Sequence, residues 1–382
     1  MNEYSQTPAS GYDRNAPHHA RAQGLPPMGA DTDKPDRLAS GETLASVHSA
    51  GFPELLRQLG ISLLVSTYQA GKLVVLRADG DSVNTHFLDF NTPMGIAADA
   101  NRIALGTRSE IVEFHNMPAV ASRLRDPPRH DAVYLARAGH ITGAIDIHEM
   151  AWDAQGELWF VNTLFSTLCT RDASHSFVPR WRPAFVSGLA AEDRCHLNGL
   201  GMRDGQPRYV TALAQTNTAQ GWRDHKHDGG VLIDCANDET LVRGLAMPHS
   251  PRWHDGRLWL LESGRGALCC VDEQSRQQRE VARLPGFVRG MDLIGKVAFV
   301  GLSQLRDKHP FGEIDGERQC GVWAVHLESG RILGLLKFTG AVQEIFAVQA
   351  IRGVQFPEII HDGPLLDTCY ALPDAALGDV EN

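Results

Sequence analysis

Two stretches decide how this chain is read: HEMAWDAQGELWFVNT at residues 148–163 and HSPRWHDGRLWLLES at residues 249–263. Each opens on a histidine, carries a tryptophan four residues later, and turns on a polar segment that ends in glycine. Each then resumes as Gly-x-Leu-Trp followed by apolar residues. Short β-rich runs on either side of a tight polar turn make a pair of antiparallel strands. Weaker copies begin at Met94, Asn198, Arg289 and Gln343. Successive starts lie about 40–55 residues apart, the length of a four-stranded propeller blade.

The runs between turn residues predict strands near 148–152, 157–162, 166–170 and 180–187 in one clear copy. In the other they fall near 249–253, 257–262, 267–271 and 278–284. The last copy supplies only an innermost strand, 344–351, and the chain before the first copy supplies three more, near 62–66, 72–76 and 83–90. Joining one C-terminal strand to three N-terminal strands closes a ring and removes its exposed edges. The expectation is an all-β, six-bladed β-propeller over residues 50–360, with a short helix at 52–59. The rest reads as a disordered segment over 1–45, where Pro26, Pro27 and Pro35 interrupt a polar run, and a tail at 361–382.

Composition narrows the partners. The 382 residues are 43% hydrophobic and 21% charged, with a net charge of −10. No basic block offers itself to nucleic acid or an anionic membrane, and no apolar run reaches the roughly 18 residues of a membrane helix. The first 40 or so residues lack the basic start and apolar stretch of a signal peptide. The seven cysteines show no CxxC pair, so free thiols in a reducing cytoplasm are expected.

In a propeller the innermost strands start at one end of the central channel, where the loops between second and third strands also open. Here those loops vary most: 214–228 and 303–319 are long, whereas the opposite turn at His254-Asp255-Gly256 is minimal. The innermost-strand starts bring Asp146, His148, Glu149, His196, Asn198, His249, Arg289 and Glu344 to that mouth. Neutral imidazole is a good ligand for Fe, Cu or Zn, and three leave positions open for water or substrate. His148, His196 and His249 are therefore the candidate metal ligands. Glu149 or Glu344 is the candidate general base or fourth ligand, with Arg289 as the anchor of an anionic substrate or an inter-blade ion pair. Asp146 is the expected orienting partner of His148, and Asp146 and Asn198 are both read as supporting the ligands or contacting substrate. A metal-free polar site and plain structural hydrogen bonding are the competing readings. His225 and His227 are read as solvent-facing, and Trp152, Trp159, Trp253 and Trp259 as blade packing. His148-Glu149 lacks the second histidine of a HExxH motif, since Trp152 stands there.

The motifs LVSTYQAGKLVVL (64–76), HEMAWDAQGELWFVNT (148–163), FVPRWRPAFVSGLAAEDRCHLNGLGM (177–202), GGVLID (229–234), MPHSPRWHDGRLWLLESG (247–264) and QCGVWAVHLESG (319–330) resemble the uncharacterised bacterial DUF4915 family over about 50–360. That resemblance implies no settled activity. More loosely, the chain resembles the six-bladed group of gluconolactonases and strictosidine synthase-like proteins. The gluconolactonases hold a divalent cation with carboxylate and Asn ligands, where this chain offers histidines. Three functions follow as expectations: a metal-dependent oxygenase or hydrolase of a small polar substrate or peptide, a metal-free binding module for peptide or carbohydrate, and a metal-free lyase or cyclase using His148 or His249.

Overall fold

A computed structural model describes residues 44–124, 128–304 and 319–380. The expected disorder over 1–45 falls almost wholly outside the described residues, as does most of the 303–319 loop.

Six separate sheets follow one another along the chain. Blade 1 runs outward from Ala347–Arg352 through Ile61–Thr67 and Lys72–Asp79 to Ser82–Asp89. Blade 2 holds Ile96–Ala98, Arg102–Gly106, Glu110–Asn116 and Ala132–Ile141. Blade 3 holds Ile147–Trp152, Leu158–Asn162, Thr167–Thr170 and Val178–Trp181. Blade 4 holds Leu197–Arg203, Gln206–Ala212, Gly230–Asp234 and Glu239–Leu245. Blade 5 is Pro248–His254, Arg257–Glu262, Ala267–Val271 and Gln278–Arg283, and blade 6 is Phe287–Ile294, Val297–Ser303, Gly321–His326 and Ile332–Phe338. The ring closes as expected, with Leu64 opposite Gln349 in an antiparallel pair formed from the two ends of the domain.

The core lies between blades rather than within them. Leu63, Val65 and Val74 of blade 1 pack on Phe299 and Val322 of blade 6. Their alternating neighbours Leu64, Leu73 and Val75 pack on Leu105 and Tyr134 of blade 2. Successive strand side chains point to opposite faces, so a blade buried on both faces reads as a continuous apolar run. Each remaining seam repeats the arrangement. Trp259 is buried, Trp152, Trp159 and Trp253 are partly buried, and all four lie in these seams, as expected.

The helix Phe52–Leu59 has its predicted bounds. Phe52 and Leu56 seat it on the seam between blades 6 and 1, and Gly60, at φ 64°, ends it in the left-handed conformation. Two strands were not foreseen. Ser46–His48 adds antiparallel to the outer edge of blade 6, and Pro357–Ile360 adds parallel to that of blade 2. Both are too short to show a period in sequence, and both cover sheet edges. Glu358 fastens the second one, accepting from His86 Nε2 at 3.1 Å and facing His130 Nε2 at 3.3 Å and Arg77 Nη1 at 3.4 Å. Beyond it the tail forms short helices at Pro364–Thr368 and Asp374–Leu377. Among the described residues no helix is long and apolar enough to cross a membrane.

Candidate functional site at the propeller mouth

The innermost strands of blades 3, 4, 5 and 6 each break register near their start: about Ile147–Met150, Leu197–Gly199, His249–Arg252 and Val288–Met291. Irregularities of this kind re-aim side chains at strand ends. Ile147, Leu197 and Pro248 occupy equivalent pairing positions, so the next residues, His148, Asn198 and His249, correspond. His196 is therefore not the counterpart of the other two histidines, contrary to expectation. It takes the place of Asp146 and Met247, and all three have positive φ, at 50°, 57° and 50° respectively.

His148 and His249 are held in the same way. His148 Nδ1 lies 3.1 Å from the Asp146 carbonyl and 2.7 Å from Thr163 Oγ1. His249 Nδ1 lies 3.0 Å from the Met247 carbonyl and 2.8 Å from Ser263 Oγ. A carbonyl only accepts, so both rings carry their proton on Nδ1 and present an Nε2 lone pair. Thr163 in turn donates to the Leu197 carbonyl at 2.6 Å, tying the ring to the next blade. Both rings are buried, and His148 Nε2 has no partner among the described residues. Burial, and then the nearby Arg289 charge, push both imidazoles well below their ordinary pKa. Both are neutral at pH 7. Gly95 makes this packing possible, since a Cβ there would overlap the His148 carbonyl oxygen.

Asp146 does orient His148, but through its backbone carbonyl and not its carboxylate. Asn198 Oδ1 accepts from Thr211 Oγ1 at 2.6 Å, which leaves its buried Nδ2 unpartnered among the described residues. His196 Nδ1 sits 3.0 Å from the Asp193 carboxylate, whose Oδ2 also accepts from Trp222 Nε1 at 2.8 Å. Trp222, buried on the one-turn helix Gly221–His225 of the long loop, lies over the His196 ring at 4.4 Å between centroids. The His196 and His148 rings meet edge to face at 5.0 Å. His225 and His227 are exposed, as expected.

Arg289 makes no hydrogen bond or ion pair among the described residues, and its Nη2 is buried without a partner. Its guanidinium carbon lies 3.6 Å from the centre of the Phe346 ring, and the His148 ring lies 5.0 Å from the same centre. Desolvation pushes Arg289 down to about 10, against the pull of the Asp146 and Glu344 carboxylates nearby, and it remains a cation at neutral pH.

Glu149 is not available as a base. Its two oxygens accept a forked pair from Arg252 at 2.9 and 3.0 Å, and it also accepts the Leu200 N–H at 2.7 Å. Arg252 further donates to the Leu200, Pro251 and Met291 carbonyls. This crossbar ties the innermost strands of blades 3, 4, 5 and 6 together below the histidines.

His148, His196 and His249, the expected ligands of an Fe, Cu or Zn centre, do not converge as one three-ligand group among the described residues. Among the described residues no three His, Cys, Asp or Glu side chains approach as a cation-holding group. The Arg289 cation sits with the same histidines, its charge partly offset by the Asp146 and Glu344 carboxylates. The sequence reading missed Thr163, Ser263, Asp193, Trp222, Tyr68 and Phe346. For the first two a signal was there: both quoted repeats end on a hydroxyl residue.

Fold and site define the class: a six-bladed β-propeller with a histidine- and arginine-lined mouth. Residues 50–360 match the model of the family described as a domain of unknown function, DUF4915, and the chain belongs to that family. No curated protein matches it. Among solved structures, a chain of a nidogen/laminin complex aligns at TM-score 0.49 and 10% identity, covering 77% of this chain and 99% of that one. A protein of unknown function from Bacteroides caccae aligns at 0.49 and 13%, covering 76% and 99%. Virginiamycin B lyase from Staphylococcus aureus aligns at 0.37 and 12%, covering 72% and 79%.

Proposed function

We propose that the mouth is a metal-free proton-transfer site of the lyase or cyclase kind, acting on a small anionic substrate. The observation that carries this reading is the pair of identically held imidazoles, each with its Nδ1 proton committed to a carbonyl, the Nε2 of His148 buried without a partner among the described residues, beside a guanidinium that makes no hydrogen bond among them. Arg289 binds the anionic group next to the reacting carbon. Nε2 of His148 or His249 takes the proton as the C–H bond breaks, and the electron pair moves toward the oxygens that Arg289 faces. The imidazolium then returns the proton to the carbon or to a leaving group. A ring with lowered proton affinity is deprotonated at pH 7 and gives its proton back readily. Glu344, close to Arg289, limits the net charge of the pocket.

The test is solvent exchange. Small carboxylic acids bearing a C–H beside a carbonyl are incubated with the protein in D2O and followed by proton NMR. The expected result is protein-dependent loss of one C–H signal, unaffected by EDTA and lowered at least tenfold in H148Q or H249Q (about 1.4 kcal/mol per tenfold). Exchange no faster than without protein, or exchange that requires added metal, contradicts the reading. Saturable binding without exchange would leave a binding module.

A further inference from the structure

The surroundings of Arg289 say which anion fits, and this inference rests on the proton-transfer reading above. A guanidinium stacked on a ring has one face covered and keeps its edge, which matches the two coplanar oxygens of a carboxylate. Arg289 is stacked in this way on Phe346. Tyr68 extends the wall, its ring 6.1 Å from Phe346 and 26° from parallel. Phe287 lies beside His249 at 5.9 Å, and Trp222 covers His196. Phe346 and Tyr68 thus stand beside the cation, while Trp222 and Phe287 stand beside the histidines. The Asp146 and Glu344 carboxylates lie close enough to Arg289 to raise its proton affinity, and their repulsion of a dianion such as phosphate is about twice that of a monoanion. Guanidinium edge, single positive charge and aromatic wall together favour a flat, singly charged acid.

We infer that the ligand of this mouth is an aromatic monocarboxylate, its carboxylate on the Arg289 edge and its ring against Phe346 and Tyr68. Isothermal titration of the full chain with phenylacetate, cyclohexylacetate, acetate and inorganic phosphate tests this. Phenylacetate is expected to bind at least tenfold more tightly than cyclohexylacetate or acetate, and phosphate to give no saturable heat. R289M is expected to weaken phenylacetate at least thirtyfold and F346L about tenfold, with circular dichroism unchanged in both. If R289M fails to fold, F346L alone decides. Phosphate or acetate binding as tightly as phenylacetate, no phenylacetate binding at millimolar concentration, or F346L binding unchanged each overturns the inference. Phenylacetate binding without C–H exchange on any aromatic acid would uphold the ligand class while removing the catalytic reading. Exchange confined to non-aromatic acids would do the reverse.

Discussion

At the scale of single residues, the site depends on which nitrogen of each imidazole carries the proton. Thr163 and Ser263 share that task with two backbone carbonyls. T163V removes the acceptor for His148 and the bond to the Leu197 carbonyl, and is expected to lower stability by about 1–2 kcal/mol in urea titration. Threonine-to-serine at the same position keeps the hydroxyl and is expected to change little. The histidines themselves were legible, because they recur at the head of a repeat. Their roles were not. A one-residue difference in register decides whether His196 or Asn198 matches His148, and only the strand pairing reveals it. Tyr68 and Trp222 come from loops outside the repeat, so no sequence period marks them, and Phe346 lies in the last, weakest copy.

At the scale of strands and loops, the bulged starts of four innermost strands aim functional groups at one end, and the Glu149–Arg252 crossbar holds those strands together. Removing one member of a buried ion pair strands the other, so R252M is expected to cost about 3–5 kcal/mol. The E149Q/R252M double variant should lose less than the sum of the two singles, measured by denaturant unfolding. Additive losses would mean that the crossbar is not a unit. A second fastening, between Glu358 and its neighbours, has a pH signature. Its hydrogen bond from His86 and the Arg77 charge hold the carboxyl down to about 2, against burial that would raise it. A carboxyl lowered in the folded state stabilises above its unfolded value, near 4.5, and the contribution fades as pH falls toward 2. The strand Pro357–Ile360 should accordingly lose hydrogen-exchange protection, relative to an unstructured amide at the same pH, below pH 4.5, and E358Q should show that loss already at pH 7.

Across the whole molecule, stability resides in six seams between blades, which explains why length and repeat spacing were enough to give the architecture. The strand bounds in the two clear copies fell within three residues of expectation, save the last strand of blade 3, which ends at Trp181 rather than near 187. Ring closure was legible because one strand was missing at one end and three were present at the other. Asp292 secures that closure, accepting from the Ala350 N–H at 2.9 Å and Gln349 Nε2 at 2.7 Å. D292A is expected to lower the melting temperature by several degrees, on the order of 1–3 kcal/mol. Acid adds a molecular effect from the mouth. His148 and His249 stay neutral when folded but protonate when unfolded below about 6.5. Their contribution is therefore complete above that value and is lost as pH falls, at up to about 1.4 kcal/mol per unit for each ring. Wild type should destabilise between pH 6.5 and 5, and the H148Q/H249Q variant should do so less steeply.

The proposed function requires two neutral, Nδ1-protonated histidines that face an anion site without a metal. Long-range proton–nitrogen correlation NMR on protein labelled with 15N-histidine, assigned with H148Q and H249Q, tests it most directly. Both rings are expected at pH 7 to show a protonated Nδ1 and a bare Nε2, unchanged by excess zinc. A proton on Nε2 of either ring, or a zinc-dependent shift of both Nε2 signals, would contradict it.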